Sequence, residues 1–298
     1  MPYPTKPPKM APGSPMFVAK PSHLQRGVTL IELMVGITIG LLTVTVALSA
    51  LMVSRSVSGT VTEATQMQQQ AAYAFRVIGQ QVRQAGSIKL NLAFSKDATE
   101  VVDAADLVAF ETEFARATAT ILGKDAPGAN EYQLKLGYQN YPEPTFPSAT
   151  SKSLFKDCLG QQPSAVVIQS GFILVKTAGA ATGELKCAGS NNTVQPIISK
   201  VADFRVRYLV QGGGGSGAPT IKYSTATEVE AAASGNQWPT VFGVEVCLEL
   251  VGDETINSTG TTYRDCGWKS GDAEKDRGNR LRMVFRNTYQ LRSQGSAA

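Results

Sequence analysis

The chain has 298 residues, of which 43% are hydrophobic and 17% charged, a composition that can bury a sizeable core and excludes disorder along its whole length. Residues 1–27 hold four basic residues and no acid, so they carry the whole net charge of +4. The other 24 basic and 24 acidic residues balance, which excludes a general affinity for nucleic acid. The only histidine, His23, lies in the same stretch, so its removal would leave none for a catalytic triad or a metal site.

An uncharged apolar run follows, from residue 33 to residue 53. About 20 apolar residues in a helix span the roughly 30 Å of a membrane's hydrocarbon core. Because the basic residues precede the run, residues 1–27 are expected in the cytoplasm and the rest of the chain outside it. A cleavable secretory signal is the alternative, since Ala47, Ser49 and Ala50 form a weak cleavage site, but its apolar core would be shorter.

The helical pattern continues beyond the apolar run. Apolar or small residues recur at alternating spacings of four and three, with Gln68 at the one missing position: Val57, Val61, Ala64, Ala71, Phe75, Ile78, Val82 and Ala85. No proline interrupts residues 28–85, and Gly86 is suited to end a helix. The pattern predicts one helix over residues 28–85, apolar all round in its first half and amphipathic in its second.

The start of this helix carries a recognisable motif. The octet Gly27-Val28-Thr29-Leu30-Ile31-Glu32-Leu33-Met34 closely resembles the processing site of type IV prepilins. The resemblance implies that a prepilin peptidase cleaves after Gly27 and methylates the new N-terminus at Val28, where the family usually has Phe. It also implies that Glu32 meets the N-terminus of a neighbouring subunit during assembly. An ordinary signal anchor with an incidental glutamate is the alternative.

Five further stretches resemble the PilW family of minor pilins and occur in the family's order. They are residues 68–90, 158–189, 196–210, 238–251 and 280–292.

Three of these stretches alternate apolar and polar residues with a period of two, which predicts strands with one buried and one solvated face. The alternating apolar residues begin and end at Phe204 and Val210 in the first stretch, Phe242 and Leu250 in the second, and Leu281 and Leu291 in the third. The amphipathic half of the helix would cover the apolar face of the sheet. The predicted fold class is therefore α+β, a long N-terminal helix packed on an antiparallel β-sheet.

Charged residues on two of these strands allow two interpretations. If the strands are neighbours, Glu245 or Glu249 could pair with Arg282 or Arg286 as exposed ion pairs. Otherwise these charged residues lie on the solvated faces of two strands that are not neighbours.

Four cysteines, Cys158, Cys187, Cys247 and Cys266, form no C-x-x-C pair, which disfavours a zinc or redox site. Their even number fits disulfides in an oxidising compartment. Of the three possible pairings, the local one is predicted, Cys158–Cys187 and Cys247–Cys266.

Two further features have a functional and a plain interpretation. The acids Asp272, Glu274 and Asp276 could hold calcium or form a solvated loop, and we expect no metal and no cofactor. The arginine-rich residues 280–292 could contact DNA, although that face has no interleaved aromatic residues.

The resemblance implies a structural minor pilin that helps to initiate or cap a type IV pilus, with roles in adhesion and twitching motility, and not an enzyme. The expected parts are a cleaved cytoplasmic leader (1–27), a transmembrane and filament-core helix half (28–53), an amphipathic helix half (54–86) and a periplasmic, later extracellular, domain (87–298). Expected partners are the major pilin, other minor pilins, the prepilin peptidase, the inner-membrane assembly platform and a tip adhesin. The alternatives are a minor pseudopilin of a type II secretion system, a membrane-anchored periplasmic enzyme or a DNA-binding pilin.

Overall fold

The computed structural model describes residues 27–88, 90–92, 108–110, 114–145, 148–212, 220–231, 238–256, 258 and 260–291. The chain divides into two compact units, residues 1–55 and 56–298. The helices are α1 (Leu30–Gln84), α2 (Arg116–Ala119) and α3 (Ala226–Glu230), with a 3-10 turn at Trp238–Thr240. The strands are β1 (Leu90–Leu92), β2 (Val108–Phe110), β3 (Ile121–Leu122), β4 (Leu134–Gln139), β5 (Pro142–Thr145), β6 (Ser148–Ser153), β7 (Val167–Val175), β8 (Gly183–Ala188), β9 (Val194–Gly212), β10 (Thr220–Ser224), β11 (Val241–Thr255), β12 (Thr262–Tyr263), β13 (Lys275–Asp276) and β14 (Arg280–Gln290).

An eight-stranded antiparallel sheet forms most of the second unit. Seven of its strands lie in the order β14-β11-β9-β8-β7-β4-β3, and the eighth, β10, pairs with β9. The long strand β9 pairs with β11 along one edge, and with β8 and then β10 along the other. Ladders of two strands join β1 to β2, β5 to β6 and β12 to β13.

Alternate residues of β9 and β11 build the core, as their period-two pattern predicts. Phe204 lies beside Leu248 and Val206 beside Val246, and these side chains are buried in one cluster with the apolar residues of α1. The predicted fold class, α+β with a long helix on an antiparallel sheet, is confirmed.

The helix α1 agrees with the predicted helix within two residues at its start and one at its end. Beyond its last turn Gly86 adopts a φ of 72°, and its N–H donates to the carbonyl of Gly137 at 2.8 Å. Ile78 and Val82 are buried as the stripe predicts, but the prediction for Val57 and Val61 is wrong, because they are 59% and 60% exposed.

The buried face at the start of the second unit is formed by Glu63 and Met67 instead. The Glu63 carboxylate accepts the backbone N–H groups of Asp253 and Glu254, the latter at 3.2 Å to each oxygen, where β11 ends. A buried carboxylate is stable where such donors replace its water. The helix therefore turns a polar residue inward here because the strand end supplies its partners.

A second buried polar residue, Gln81, ties α1 to the sheet. Its amide donates to the carbonyl of Lys156 at 3.1 Å and accepts the hydroxyls of Tyr138 and Ser170, both at 2.9 Å. The Ser170 hydroxyl oxygen in turn accepts the N–H of Cys158 at 3.1 Å. All the polar atoms of the Gln81 side chain thus have partners, which makes its burial tolerable.

A glycine allows a close approach between α1 and β14. A Cβ atom at Gly79 would lie 2.5 Å from a ring carbon of Tyr289. The hydroxyl of that tyrosine donates to the carbonyl of Phe75 at 2.7 Å. The missing side chain at Gly79 is therefore what lets the tyrosine ring lie against the helix.

The polar face of β11 is covered, contrary to the prediction of a solvated face. Residues 258 and 260–278, here called the covering segment, reach over it through Tyr263 and Cys266. Cys247 and Glu249 are only 3% and 4% exposed as a result. This second layer contains the short β12–β13 ladder.

The predicted pairing of charges across strands occurs, because β11 and β14 are neighbours. Arg282 contacts Glu249 at 2.8 Å, while Tyr263 donates to the same carboxylate oxygen at 2.8 Å. The pair differs from the prediction in being largely buried. Arg286 makes no such pair, since it lies opposite Cys247 and donates to the carbonyl of Asp265 at 2.5 Å.

Candidate functional site

The helix α1 begins with a reciprocal hydrogen-bonded cap. The Glu32 carboxylate accepts the backbone N–H of Thr29 at 2.9 Å and its hydroxyl at 2.8 Å, while the Thr29 hydroxyl oxygen accepts the N–H of Glu32 at 3.4 Å. This T-x-x-E pattern is a capping box, which satisfies N–H groups that the first turn leaves free. Sequence reasoning missed it, although the spacing of Thr29 and Glu32 was its visible signal.

The two residues at the predicted cleavage bond lie just before this cap. Gly27 and Val28 are exposed and precede the helix, and an added Cβ at Gly27 would meet no atom of the described residues within 4 Å. The bond between them is therefore sterically accessible. The other residues of the predicted leader, residues 1–26, lie outside the described residues.

The apolar half of α1 leaves its side chains uncovered. Every residue from 28 to 53 is exposed, with Leu30 at 75% and Val53 at 65%. Contiguous apolar surface of this extent marks a membrane or protein contact. Within the part of the chain that the structure describes, α1 is the one helix long and apolar enough to cross a membrane.

Hydroxyl groups in this half are satisfied within the helix. Each donates to a carbonyl three or four residues earlier, at 2.7–2.9 Å: Thr38, Thr43, Thr45 and Ser49. Such bonds remove the cost of placing a free hydroxyl donor in hydrocarbon. The threonines and serine are therefore compatible with a lipid environment.

The four cysteines form two disulfides in the structure, the same two pairs that the sequence predicts. Cys158 pairs with Cys187 of β8, with their Cα atoms 6.2 Å apart. Cys247 of β11 pairs with Cys266 of the covering segment, with Cα atoms 5.6 Å apart. The first attaches the loop after β6 to the sheet, and the second attaches the covering segment.

The acidic loop holds its carboxylates apart. Asp272 accepts the N–H of Lys269 at 2.8 Å, Glu274 accepts the hydroxyl of Thr262 at 2.6 Å, and Asp276 accepts the N–H of Gly278 at 3.0 Å. Among the described residues, no group of three His, Cys, Asp or Glu is placed to hold a metal ion. The solvated-loop interpretation fits this arrangement.

Two arginines of the strand considered for DNA have partners within the protein, while Arg280 and Arg286 are exposed. Arg282 and Arg286 are both bonded within the protein, to Glu249 and to the backbone of Asp265. Arg292 lies outside the described residues.

Comparisons with known proteins add to this geometry. Residues 22–48 match the family model described as Prokaryotic N-terminal methylation motif, and residues 172–293 match that described as Type IV Pilus-assembly protein W. This chain is a type IV pilus-related pilin. The second match begins in β7 of the pilin and runs past β14, so it includes the strands β8 to β14 and the covering segment.

Among solved structures, the pilin is similar to the type IV-like pilin TTHA1219 from Thermus thermophilus. The similarity has a TM-score of 0.35 and 10% identity over 77% of this chain and 98% of that one. No curated protein matches the chain. The family matches imply association with a membrane and with pilus components.

Proposed function

We propose that this pilin is a minor subunit that helps to initiate or cap a type IV pilus. The observation that carries the proposal is a methylation motif, residues 22–48, that includes the start of a helix half whose apolar side chains are all exposed. In a membrane those side chains are covered by lipid, and in a filament they are covered by the helices of other subunits. Burial of apolar surface favours both states, at roughly 25 cal/mol per Å².

The proposed parts of the pilin follow the sequence boundaries. Residues 1–27 are a cytoplasmic leader that is removed, and residues 28–53 are the transmembrane and filament-core half of the helix. Residues 54–86 are the amphipathic half, and residues 87–298 form the periplasmic and later extracellular domain. The proposed partners are the major pilin, other minor pilins, the prepilin peptidase, the inner-membrane assembly platform and a tip adhesin.

Glu32 is proposed to be an assembly contact whose partner is created by cleavage. In the structure its carboxylate accepts two hydrogen bonds from Thr29, a residue that cleavage does not remove. Cleavage after Gly27 creates an α-amino group on Val28, four residues from Glu32 and about one helical turn away. A charge in hydrocarbon costs on the order of 3 kcal/mol, and an ion pair with the amine of a neighbouring subunit offsets this cost.

Processing is tested by mass spectrometry of the N-terminal peptide from membrane-extracted protein. The proposal expects a peptide that begins with N-methylated Val28. An intact leader, or a first residue beyond Ser49, would contradict it.

The assembly role is tested in cells that lack the gene and carry variants of it. We expect the deletion to lower the number of surface pili, and Glu32→Gln to be processed normally but absent from sheared pili. Thr38→Val, which removes an internally bonded hydroxyl from the same helix half, is the matched control and should assemble normally. Normal incorporation of Glu32→Gln would remove Glu32 from the proposal.

A pseudopilin of a type II secretion system is the second candidate. The description of the matched family, a type IV pilus-assembly protein, favours the pilus. The same match supports a structural role over an enzymatic one. If the deletion impairs protein secretion and leaves pili unchanged in number, the pseudopilin assignment replaces the pilus assignment.

A further inference from the structure

A cavity of about 410 Å³ lies on the face of β9 that carries Arg205 and Arg207. Its walls also come from Lys124 and Asp125 after β3, and from Gly267 and Lys269 in the covering segment. The volume falls within the roughly 300–1,000 Å³ of small-molecule sites. Neither the pilin match nor the assembly role assigns a function to it.

The acidic residues of the cavity are already bonded. Asp125 accepts the N–H groups of Ala226 and Thr227 at 3.1 and 2.9 Å and the Thr227 hydroxyl at 2.6 Å. Burial opposes ionisation of Asp125, but these hydrogen bonds prevail and lower its pKa, so it is charged at neutral pH. Asp203 accepts from Arg205 Nε at 2.7 Å. Neither carboxylate needs a further cation.

The basic residues keep donors that the protein does not use. Arg207 donates one long hydrogen bond, from Nη2 to the carbonyl of Trp268 at 3.4 Å, out of the five N–H donors of a guanidinium. The exposed side-chain amine of Lys269 has no hydrogen-bond or ion-pair partner among the described residues. Lys124, by contrast, contacts Glu230 at 2.8 Å. The cavity therefore offers free cationic donors, and its carboxylates already have partners of their own.

The arrangement of these donors indicates the kind of anion. Arg205 and Arg207 are two residues apart on one strand face, about 7 Å along β9, so they form a row and not a single point. The aromatic side chain in the wall, Phe204, is buried, so it offers no surface on which a nucleic-acid base could stack. Asp203 lies in the same wall, and Arg205 donates to one of its two carboxylate oxygens, so the other can accept a ligand hydroxyl.

We propose that this cavity binds a carboxylated sugar, with the carboxylate held by Arg207 and Lys269. A charge-assisted hydrogen bond to a planar guanidinium provides the main attraction, and an oxygen of Asp203 positions a hydroxyl of the sugar ring. This activity goes beyond pilus assembly, since it gives the pilin's second unit a ligand of its own.

The test uses the full-length protein in lipid nanodiscs, which contain no sugar detergent. Binding of digalacturonate is measured by isothermal titration calorimetry, and the dimethyl ester of the same disaccharide is the neutral probe. We expect saturable binding of the acid that weakens as salt rises, and no binding of the ester. Arg207→Gln and Lys269→Gln should each weaken binding about tenfold, the worth of one charge-assisted hydrogen bond. Lys152→Gln, at an exposed lysine outside the cavity, should not change it.

Several results would overturn the proposal. They are no binding of digalacturonate, equal binding of acid and ester, and equal affinity of wild type and both cavity variants. Tighter binding of an oligothymidylate that is lost in the same variants would assign the cavity to nucleic acid instead. The exposed Lys269 keeps the test valid if Arg207→Gln fails to fold, because its loss disturbs no internal contact of the described residues. The pilin's processing and incorporation into pili do not enter this measurement, so the two proposals fail independently.

Discussion

Replacing Gln81 by leucine tests whether its buried polar contacts hold α1 on the sheet. The amide makes three hydrogen bonds, to Lys156, Tyr138 and Ser170. At a net value of about 1 kcal/mol each, their loss should cost about 2–4 kcal/mol. Leucine has a similar volume, so the cavity left behind contributes little. Tyr138 keeps a second acceptor, the carbonyl of Lys156 at 2.8 Å, which places the cost in the lower half of this range.

The measurement is urea unfolding of the full-length protein, followed by the fluorescence of its two tryptophans. Gln80→Leu is the matched control, since Gln80 is the next residue on α1 and is exposed. It should change the free energy of unfolding by no more than about 0.5 kcal/mol. If Gln81→Leu is as stable as Gln80→Leu, the polar contacts do not stabilise the fold and the reasoning is refuted.

A double-mutant cycle with Ser170→Ala separates the contribution of the Ser170–Gln81 hydrogen bond from the other effects of replacing Gln81. If the bond between Ser170 and Gln81 contributes, the double variant should lose less than the sum of the single losses, by about 1 kcal/mol. Exact additivity would mean that the two side chains act independently.

Three further predictions concern the packing of the sheet and its covering segment. Gly79→Ala should destabilise the protein by about 1–3 kcal/mol, because its Cβ would meet the ring of Tyr289. Gly59→Ala in the same helix should be neutral or stabilising by up to about 1 kcal/mol, since its Cβ would approach only a flexible side-chain end at 3.4 Å; equal urea midpoints for the two variants would contradict this. Burial raises the pKa of Tyr289 to about 12, so the folded state holds its proton more tightly, and stability should fall as the pH rises from about 10 to about 12. The fall should be smaller in Tyr289→Phe, and an identical pH profile would show that this hydroxyl is not responsible. Changing both Cys247 and Cys266 to serine should cost about 3 kcal/mol and make the covering segment sensitive to protease; an unchanged digestion pattern would show that other contacts hold it.

The helix shows how far the sequence pattern reaches. Its extent and the buried positions Ile78 and Val82 follow from apolar spacing alone. Glu63 and Gln81 could not be found this way, because their partners lie far along the chain, from Tyr138 to Glu254. A periodicity analysis assigns polar residues to the solvent by default, and only the fold shows which of them have replaced water with protein donors.

In the sheet, the sequence pattern predicts the buried apolar face but not the covering of the polar one. The alternation in β9 and β11 identified one face as apolar, and that face is buried. It could not show that residues after β11 would fold back over Cys247 and Glu249. The cysteine on the polar face was the available signal, because a disulfide must bring a second segment onto the same surface.

The capping box and the internally bonded hydroxyls of α1 together limit how this helix can recognise another. From Gly27 to Val53, each threonine and serine hydroxyl donates its hydrogen bond to a group of the same helix or its cap. A neighbouring helix in a bundle therefore packs on an apolar surface that offers it no hydroxyl donor. Apolar packing alone resists the sliding of one helix along the other only weakly. The charge at the helix start is the feature that can set the axial position of one subunit against the next. In the proposed filament, the same carboxylate that caps its own helix would therefore fix the axial distance between neighbouring subunits.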